Sequence, residues 1–287
     1  MTISNIPNTV YDLPNTSIEH ERLNTQACLT RRVTGNKVVH APLFTSSIHR
    51  ILDVGCGPGV VTREFSSRFP KAKIVGIDIN LLPILQQERE KEDTGKMSFI
   101  EGDIMDLANK HEELGKQSFD YVFSRYLVYA LTCWPEYIKK TWDLLKPGAW
   151  VEIQDGMLTT MSAQTKNAAN LEWEAKLHQA DRGLGLDPDI GGELERLVQA
   201  AGFVNVRAWE YDVPISTWEG MDEGLREVGE FYQKAMPVLL GSLMRTRLEG
   251  RVEGVKIEKY LEEMRRDFEG GEGFYVRFFV VIGQKAE

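Results

Sequence analysis

The sequence predicts an α/β fold built on a doubly wound, Rossmann-like sheet of mostly parallel strands. Between residues 50 and 154, short apolar runs alternate with segments of helical periodicity, which is typical of parallel strands joined by crossover helices. The chain has 287 residues, of which 42% are hydrophobic and 27% are charged, enough apolar material for one large domain with additions. After Asp155 the alternation ends, which indicates helical segments added to a core.

The first half of the chain is the regular half. Apolar runs bounded by turn residues predict strands at residues 50–54, 73–77, 97–101, 119–124 and 149–154. Helical periodicity predicts helices at residues 60–69, 82–92 and 134–145, and a short helix or loop at residues 106–117. Residues 50–155 are therefore predicted to form the binding core, behind a helical N-terminal cap of residues 1–49.

The second half predicts additions to that core. Residues 157–179 and 190–201 are predicted helices, separated by a Gly- and Pro-containing loop at residues 182–189, so residues 156–203 form a helical insertion. Strands are predicted at residues 204–211 and 274–283 within a last segment of residues 204–287. Between those strands, residues 219–270 predict a helical lid with breaks at Pro237 and Gly254.

Charge and composition narrow the range of partners. Forty-three acidic and 34 basic residues give a net charge of −9, which disfavours non-specific binding to nucleic acid or to anionic membranes, although Arg31, Arg32 and Lys37 cluster locally. The three cysteines have no paired or metal-ligating spacing, and no apolar run reaches membrane-spanning length. These features predict a cytoplasmic protein without a metal that acts on a small molecule.

A glycine-rich turn follows the first predicted strand. Asp53 closes that strand, and Gly55, Gly57 and Gly59 follow at alternate positions. Glycine lets the backbone approach a ligand closely, and the N-terminus of the next helix suits either a carboxylate or a phosphate. The turn alone fits a dinucleotide or S-adenosylmethionine (SAM). Val60 stands where a dinucleotide fingerprint requires a further glycine, which favours SAM.

Acidic residues mark the next two strand ends as well. Asp78 ends the second strand, where a carboxylate can bind both ribose hydroxyls of SAM or of NAD. Asp103 follows the third strand, where it can accept a hydrogen bond from an adenine amino group. The alternative is that Asp53, Asp78 and Asp103 only cap helices or turns. The three acids together with the glycines favour a nucleoside site.

Several longer strings carry a family resemblance. The strings ILDVGCGPG, VGIDIN, EGDIMD and LLKPGAWVEIQD resemble, in order, the motifs of class I SAM-dependent methyltransferases. The strings EHERLNTQ, SRYLVYALTCWPEYIKKTWDLLKPGAWVEIQD and VVIGQK are more specifically similar to the fungal secondary-metabolism group called LaeA-like. Only Ala149 departs from the pattern, in place of a more usual second glycine.

The resemblance implies a seven-stranded sheet whose last strand is antiparallel, with SAM across the C-terminal strand edges. It implies that Ser124 and Arg125 lie near the methionine part and the methyl group, that Ile79 and Ile104 enclose the adenine, and that an N-terminal segment closes over SAM. In that segment, Tyr11 and Gln26 would contact the cofactor. An ordinary packing helix is an equally good interpretation of the same segment.

Methyl transfer does not demand a particular base, because the sulfonium is already activated and alignment lowers the barrier. If a base exists, His20 and His178 are candidates, although each is also typical of a solvated helical histidine. No Asn/Asp-Pro-Pro-aromatic motif follows the fourth strand, which disfavours methylation of nucleic acid bases. Several aromatic residues are candidates for an acceptor pocket or for ordinary core: Trp173, Trp209, Trp218, Phe231 and Tyr232.

The predicted function is transfer of the SAM methyl group to an O, N or C nucleophile of a small molecule, as in secondary metabolism. One alternative is a regulatory methyltransferase-like subunit of a protein complex, with a nuclear location as an option. A second is a rearrangement or cyclisation enzyme that uses the SAM sulfonium as a fixed charge. A homodimer is compatible with all three.

Overall fold

The computed structural model describes residues 17–82, 85, 95–271 and 273–287, and its central element is a seven-stranded sheet. The strand order is β3-β2-β1-β4-β5-β7-β6. The first five strands are parallel, and β7 runs antiparallel to both β5 and β6, as predicted. The strands are β1 (Arg50–Val54), β2 (Lys73–Asp78), β3 (Met97–Glu101), β4 (Phe119–Arg125), β5 (Leu145–Ser162), β6 (Val204–Pro214) and β7 (Phe274–Gln284).

Helices cover both faces of this sheet and its outer edge. They are α1 (Ser17–Val33), α2 (Val60–Arg68), α3 (Ile104–Leu107), α4 (Trp134–Leu144), α5 (Glu172–Gly183), α6 (Leu194–Ala200), α7 (Glu223–Leu248) and α8 (Gly254–Glu269). The predicted helix at residues 190–201 divides into a 3₁₀ turn, Ile190–Glu193, and α6. Most of the predicted helix at residues 82–92 lies outside the described residues.

The helix predicted at residues 157–179 is wrong in its first part. Strand β5 continues to Ser162, because residues 157–162 pair with β7, with Met157 opposite Arg277 and Met161 opposite Tyr275. The helical segment begins only at Glu172, the first residue of α5. The periodicity of a short apolar run does not distinguish a helix from a strand. Pairing with β7 makes these residues a strand here.

The break predicted at Pro237 is also wrong, since α7 runs through it from Glu223 to Leu248. Proline removes one helical hydrogen bond, but the same helix buries Tyr232, Leu243 and Met244 in a core shared with α5, α8 and β7. That packing outweighs the local cost. The break at Gly254 is confirmed, because α8 begins there.

The core lies on both sides of the sheet. Strands β1 and β4 are almost entirely buried, as expected for parallel strands with helices on both faces. One core packs the sheet against α4 and α6, and another packs it against α2. A third core joins α5, α7 and α8 to strands β6 and β7, and this lid core covers the outer half of the sheet. In the described part of the chain, no helix has both the length and the apolar character needed to cross a membrane.

Candidate functional site

The glycine turn between β1 and α2 adopts backbone conformations that favour glycine. Gly55, Gly57 and Gly59 have φ values of +67°, +51° and +75°. A Cβ on Gly55 would also lie only 2.5 Å from Leu127 Cδ2. The turn is anchored to the neighbouring strand, because the Gly55 N–H donates to the Ile77 carbonyl at 2.8 Å. The backbone of the turn is thereby fixed at the C-terminal edge of the sheet.

Asp78, at the end of β2, faces this turn. Its Oδ2 accepts a hydrogen bond from the Gly57 N–H at 2.8 Å, and its Oδ1 accepts one from the Asn80 N–H at 3.0 Å. Burial raises the pKa of Asp78, against the effect of these backbone donors. Each carboxylate oxygen has a second lone pair, so Asp78 can still accept two hydrogen bonds from a ligand.

Asp53 lies beneath the same turn and is almost fully buried. Its Oδ2 accepts a hydrogen bond from the Thr62 hydroxyl at 2.6 Å. Burial raises the pKa of Asp53 to about 6, although the Thr62 hydrogen bond and the charge of Arg125 oppose the shift. This carboxyl group therefore titrates near neutral pH.

Asp103, Ile79 and Ile104 are brought together in a small cavity of about 460 Å³, including its open mouth. The rest of that cavity is largely apolar, with Leu127 and Leu131 in its wall. Asp103 Oδ1 accepts a hydrogen bond from the Met105 N–H at 2.7 Å and caps α3, so the capping role considered from the sequence is confirmed for this acid. The same residue lines the cavity.

A larger cavity of about 1290 Å³, including its mouth, adjoins the small one. The two share Gly55, Asp78, Leu127 and Ala130, so they lie side by side. At one end lie the glycine turn and its acids. At the other end the walls come from β6, β7 and α7 and are apolar: Val213, Ile215, Met236, Leu239, Val276 and Phe278. We call this second end the apolar chamber.

The predicted site residues fall into distinct groups. Gln26 and Arg125 line the larger cavity. Ser124 lines neither cavity, because it is buried in β4 with its hydroxyl near that of Tyr137. Tyr11 lies outside the described residues. Gln26 and Arg125 extend the site onto α1 and the end of β4.

Neither candidate histidine lines a cavity. His178 is buried on α5, where desolvation lowers its pKa to about 4. His20 lies on α1 and is half-buried. The structure therefore brings neither of them into the space that the acids and glycines enclose. In the described ranges, no cluster of three or more His, Cys, Asp or Glu side chains is placed to hold a metal ion.

A family model matches more than half of this chain. Residues 22–208 match the model described as a methyltransferase domain. The chain belongs to the methyltransferase-domain family. The match begins in α1 and ends in β6, so it includes the glycine turn and all three acidic strand ends.

Relatives of this methyltransferase support the same group. It is 26% identical over 224 residues to methyltransferase pytC of Aspergillus terreus, which covers 76% of this chain and 65% of that protein. It is 27% identical over 232 residues to the secondary metabolism regulator laeA of Aspergillus fumigatus, covering 79% and 59%. The resemblance to the LaeA-like group is confirmed. The chain spans less than two thirds of the length of these relatives.

Solved structures confirm the fold. Haemonchus contortus phosphoethanolamine N-methyltransferase 2, in complex with phosphomonomethylethanolamine and S-adenosylhomocysteine, superimposes with a TM-score of 0.52 at 16% identity. That likeness covers 92% of this chain and 53% of the other. The YcgJ protein of Bacillus subtilis gives a TM-score of 0.51 at 15% identity, over 91% of this chain and 99% of that protein.

Sequence reasoning missed Tyr126, the first residue after β4. It lines the larger cavity of the methyltransferase and has a φ of +59°, which is strained for a bulky side chain. Its N–H donates to the Gln154 carbonyl at 3.0 Å, and its ring packs 5.1 Å from that of Phe278. No sequence pattern marks a tyrosine for the left-handed region.

Of the aromatic residues considered for an acceptor pocket, Tyr232 lines the cavity. Trp173 is instead core: its Nε1 donates to Asp267 at 2.8 Å and its ring packs on Phe268. Trp209, Trp218 and Phe231 also line neither cavity. For Trp173, Trp209 and Phe231 the ordinary core interpretation is the better one.

Asp155, the last residue of the motif LLKPGAWVEIQD, supports the loop that follows β4. Its Oδ2 accepts from the Leu127 N–H at 2.7 Å and its Oδ1 accepts from the Gly156 N–H at 2.9 Å. The residue is fully buried, and desolvation raises its pKa to about 7. The carboxyl group therefore fixes the backbone between the glycine turn and the apolar chamber.

This raised pKa predicts a pH-dependent stability. The folded protein binds the proton of Asp155 more tightly than the unfolded chain does, so the contribution of this group to stability is present below pH 4 and declines as pH rises to about 7. We expect the free energy of unfolding of the wild type to fall by on the order of 2–4 kcal/mol more than that of Asp155→Asn across this range. Urea unfolding at several pH values measures both, and parallel pH curves would contradict the prediction.

Proposed function

We propose that this methyltransferase binds SAM at the two adjoining cavities and transfers its methyl group to an O, N or C nucleophile of a small molecule. The observation that carries the proposal is that the larger cavity alone includes both the glycine turn and the apolar chamber. An acidic and glycine-lined end, which suits a nucleoside and an amino acid, opens directly into the apolar chamber. The acceptor is then enclosed next to the cofactor.

The residues present fit SAM. In the proposal, Asp78 accepts from the ribose hydroxyls with its remaining lone pairs, and Ile79, Asp103 and Ile104 hold the adenine in the small cavity. Asp53, below the glycine turn, offers negative charge toward the methionine ammonium and the sulfonium. The space beside the Gly57 backbone is open, since a Cβ there would have no neighbour nearer than 4.0 Å. A ligand can therefore contact the backbone at this position.

When bound, SAM would supply an activated methyl group on a positively charged sulfur, and transfer to the acceptor would leave S-adenosylhomocysteine and the acceptor proton as the other products. The chain contributes orientation and exclusion of water from the chamber. Burial raises the pKa of the Cys56 thiol well above its usual value, so this lining residue stays a neutral thiol. A covalent route through Cys56 is disfavoured accordingly.

Two measurements test the proposal. Isothermal calorimetry should show binding of SAM and of S-adenosylhomocysteine at one site. Incubation with SAM carrying a deuterated methyl group and a small-molecule extract of fungal cultures should yield products that retain the label, together with S-adenosylhomocysteine. Absence of SAM binding would overturn the proposal, and turnover without S-adenosylhomocysteine would favour the rearrangement alternative.

The pKa of Asp53 gives a pH prediction for SAM binding. A cationic ligand favours the ionised carboxylate. The affinity for SAM should therefore rise with pH up to about 6, the pKa of Asp53 in the ligand-free protein, and level off above it. Calorimetry between pH 5 and pH 8 measures this, and Asp53→Asn should flatten the profile. A wild-type profile without an inflection near pH 6 would show that Asp53 does not sense the ligand charge.

A regulatory role in a protein complex is a second candidate, and the relatives named secondary metabolism regulators favour it. In that case the SAM site could serve assembly as well as transfer. A stable partner that co-purifies with the protein, without any labelled small molecule in the incubation above, would select this role. Labelled products without a partner would select the metabolite enzyme.

A further inference from the structure

The apolar chamber offers little for a charged acceptor. The acidic residues that line the larger cavity are Asp53 and Asp78, and both lie at the glycine end. Toward the chamber the charged lining residues are Arg22 and Arg277, and each is paired. Arg22 lies 2.6 Å from the carboxylate of Glu19, and Arg277 Nε lies 3.0 Å from the carboxylate of Glu210. Burying an unpaired charge is costly, so the chamber suits a neutral, mainly hydrocarbon molecule.

Three tyrosines interrupt the apolar wall, and one of them, Tyr129, has its ring 5.0 Å from the Arg247 guanidinium. Tyr126 comes from the loop after β4 and Tyr232 from α7, and both line the larger cavity. The Tyr232 hydroxyl lies within hydrogen-bonding reach of the Tyr126 hydroxyl and of the Gln26 amide. Burial raises the pKa of Tyr232 well above its usual value, so it stays a neutral phenol. The pair is a polar feature at which an acceptor molecule can be oriented.

The hydrogen of the Tyr126 phenol is already committed. The Tyr126 hydroxyl lies 2.8 Å from the Thr30 hydroxyl. Thr30 has a single hydroxyl hydrogen, which it donates to the Gln26 carbonyl at 2.7 Å within α1. Tyr126 must therefore be the donor to Thr30, and its oxygen acts only as an acceptor, both toward the Tyr232 hydroxyl and toward a ligand. A ligand at this oxygen has to bring its own donor.

We propose that Tyr126, assisted by Tyr232, selects a neutral apolar acceptor that carries a hydroxyl or N–H donor at the position to be methylated. The inference rests on the proposed function, because it places the acceptor in the chamber beside SAM. The hydroxyl or N–H group of the acceptor molecule points its hydrogen to the Tyr126 oxygen. The acceptor atom that is to be methylated then keeps its own electron pair directed toward the methyl group. An acceptor that is already methylated there has lost the donor, so the product leaves more readily than the substrate.

Binding to the protein loaded with S-adenosylhomocysteine tests this selection without turnover. The probes are naphthol against methoxynaphthalene for the hydroxyl class, and indole against N-methylindole for the N–H class. We expect the donor probe of at least one pair to bind on the order of tenfold more tightly, which corresponds to one neutral hydrogen bond. Tyr126→Phe should abolish that preference, and the matched core variant Tyr260→Phe, which lines neither cavity, should keep it.

A second variant changes the direction of the hydrogen bond. Thr30→Val is nearly isosteric and removes the acceptor of the Tyr126 hydrogen, so Tyr126 becomes able to donate into the chamber. We expect methoxynaphthalene to gain affinity in Thr30→Val, an effect that mere loss of packing does not produce. Equal binding of donor and methylated probes, an unchanged preference in Tyr126→Phe, or no binding of either pair would overturn the inference. Failure of S-adenosylhomocysteine itself to bind would instead overturn the proposed function.

Discussion

Asp78→Ala is expected to lower the affinity for SAM by roughly a hundredfold or more. The carboxylate is proposed to accept from both ribose hydroxyls, and a hydrogen bond to a charged group contributes about 1.5–3 kcal/mol. The substitution also leaves the Gly57 N–H without the acceptor that it has at 2.8 Å. Two lost contacts of this kind amount to about 3–6 kcal/mol, or roughly two to four powers of ten in affinity.

Calorimetric titration with SAM measures this loss directly. Glu101→Ala is the matched control, because Glu101 ends the neighbouring strand opposite Asp78 but is exposed and lines neither cavity. The affinity of Glu101→Ala for SAM should stay near that of the wild type. If Asp78→Ala binds SAM as tightly as the Glu101 variant does, the nucleoside does not lie against the end of β2.

The sequence anticipates the glycine end of the site well because its geometry is local. Asp53, the glycines and Asp78 lie at the ends of strands predicted nearly to the residue, and parallel strand ends meet at one edge of a sheet. The glycines of the turn mark in the sequence a backbone that other residues rarely adopt, as the φ of +67° at Gly55 shows. Adjacent strand ends therefore predict adjacent side chains.

The chamber end could not be predicted because tertiary pairing forms it. Residues 157–162 become strand only because β7, more than a hundred residues later, is present to pair with them. Leu239 reaches the chamber wall from a part of α7 that lies beyond Pro237, where the sequence predicts a break. Ser124 illustrates the opposite error, since a one-residue step along β4 turns its side chain from the cavity into the core.

The lid core should depend strongly on a buried ion pair between α5 and α7. The Asp181 carboxylate and the Arg247 guanidinium are in direct contact and fully buried, and the guanidinium also lies 5.0 Å from the centre of the Tyr129 ring, which lines the chamber. Removing one partner leaves the other charge buried. Asp181→Ala is therefore expected to lower the free energy of unfolding by about 3–5 kcal/mol.

Urea unfolding measures that loss, and the same helix supplies the control. Arg245 on α7 pairs with Glu258 on α8, and both of these side chains are more than half exposed. Glu258→Ala should leave the unfolding free energy unchanged within error, because solvent screens an exposed pair. The double variant Asp181→Leu with Arg247→Met should recover most of the stability, since an apolar pair of similar volume carries no stranded charge. If Asp181→Ala is as mild as the Glu258 variant, solvent reaches Arg247, and the wall behind Tyr129 is then more open than its burial indicates.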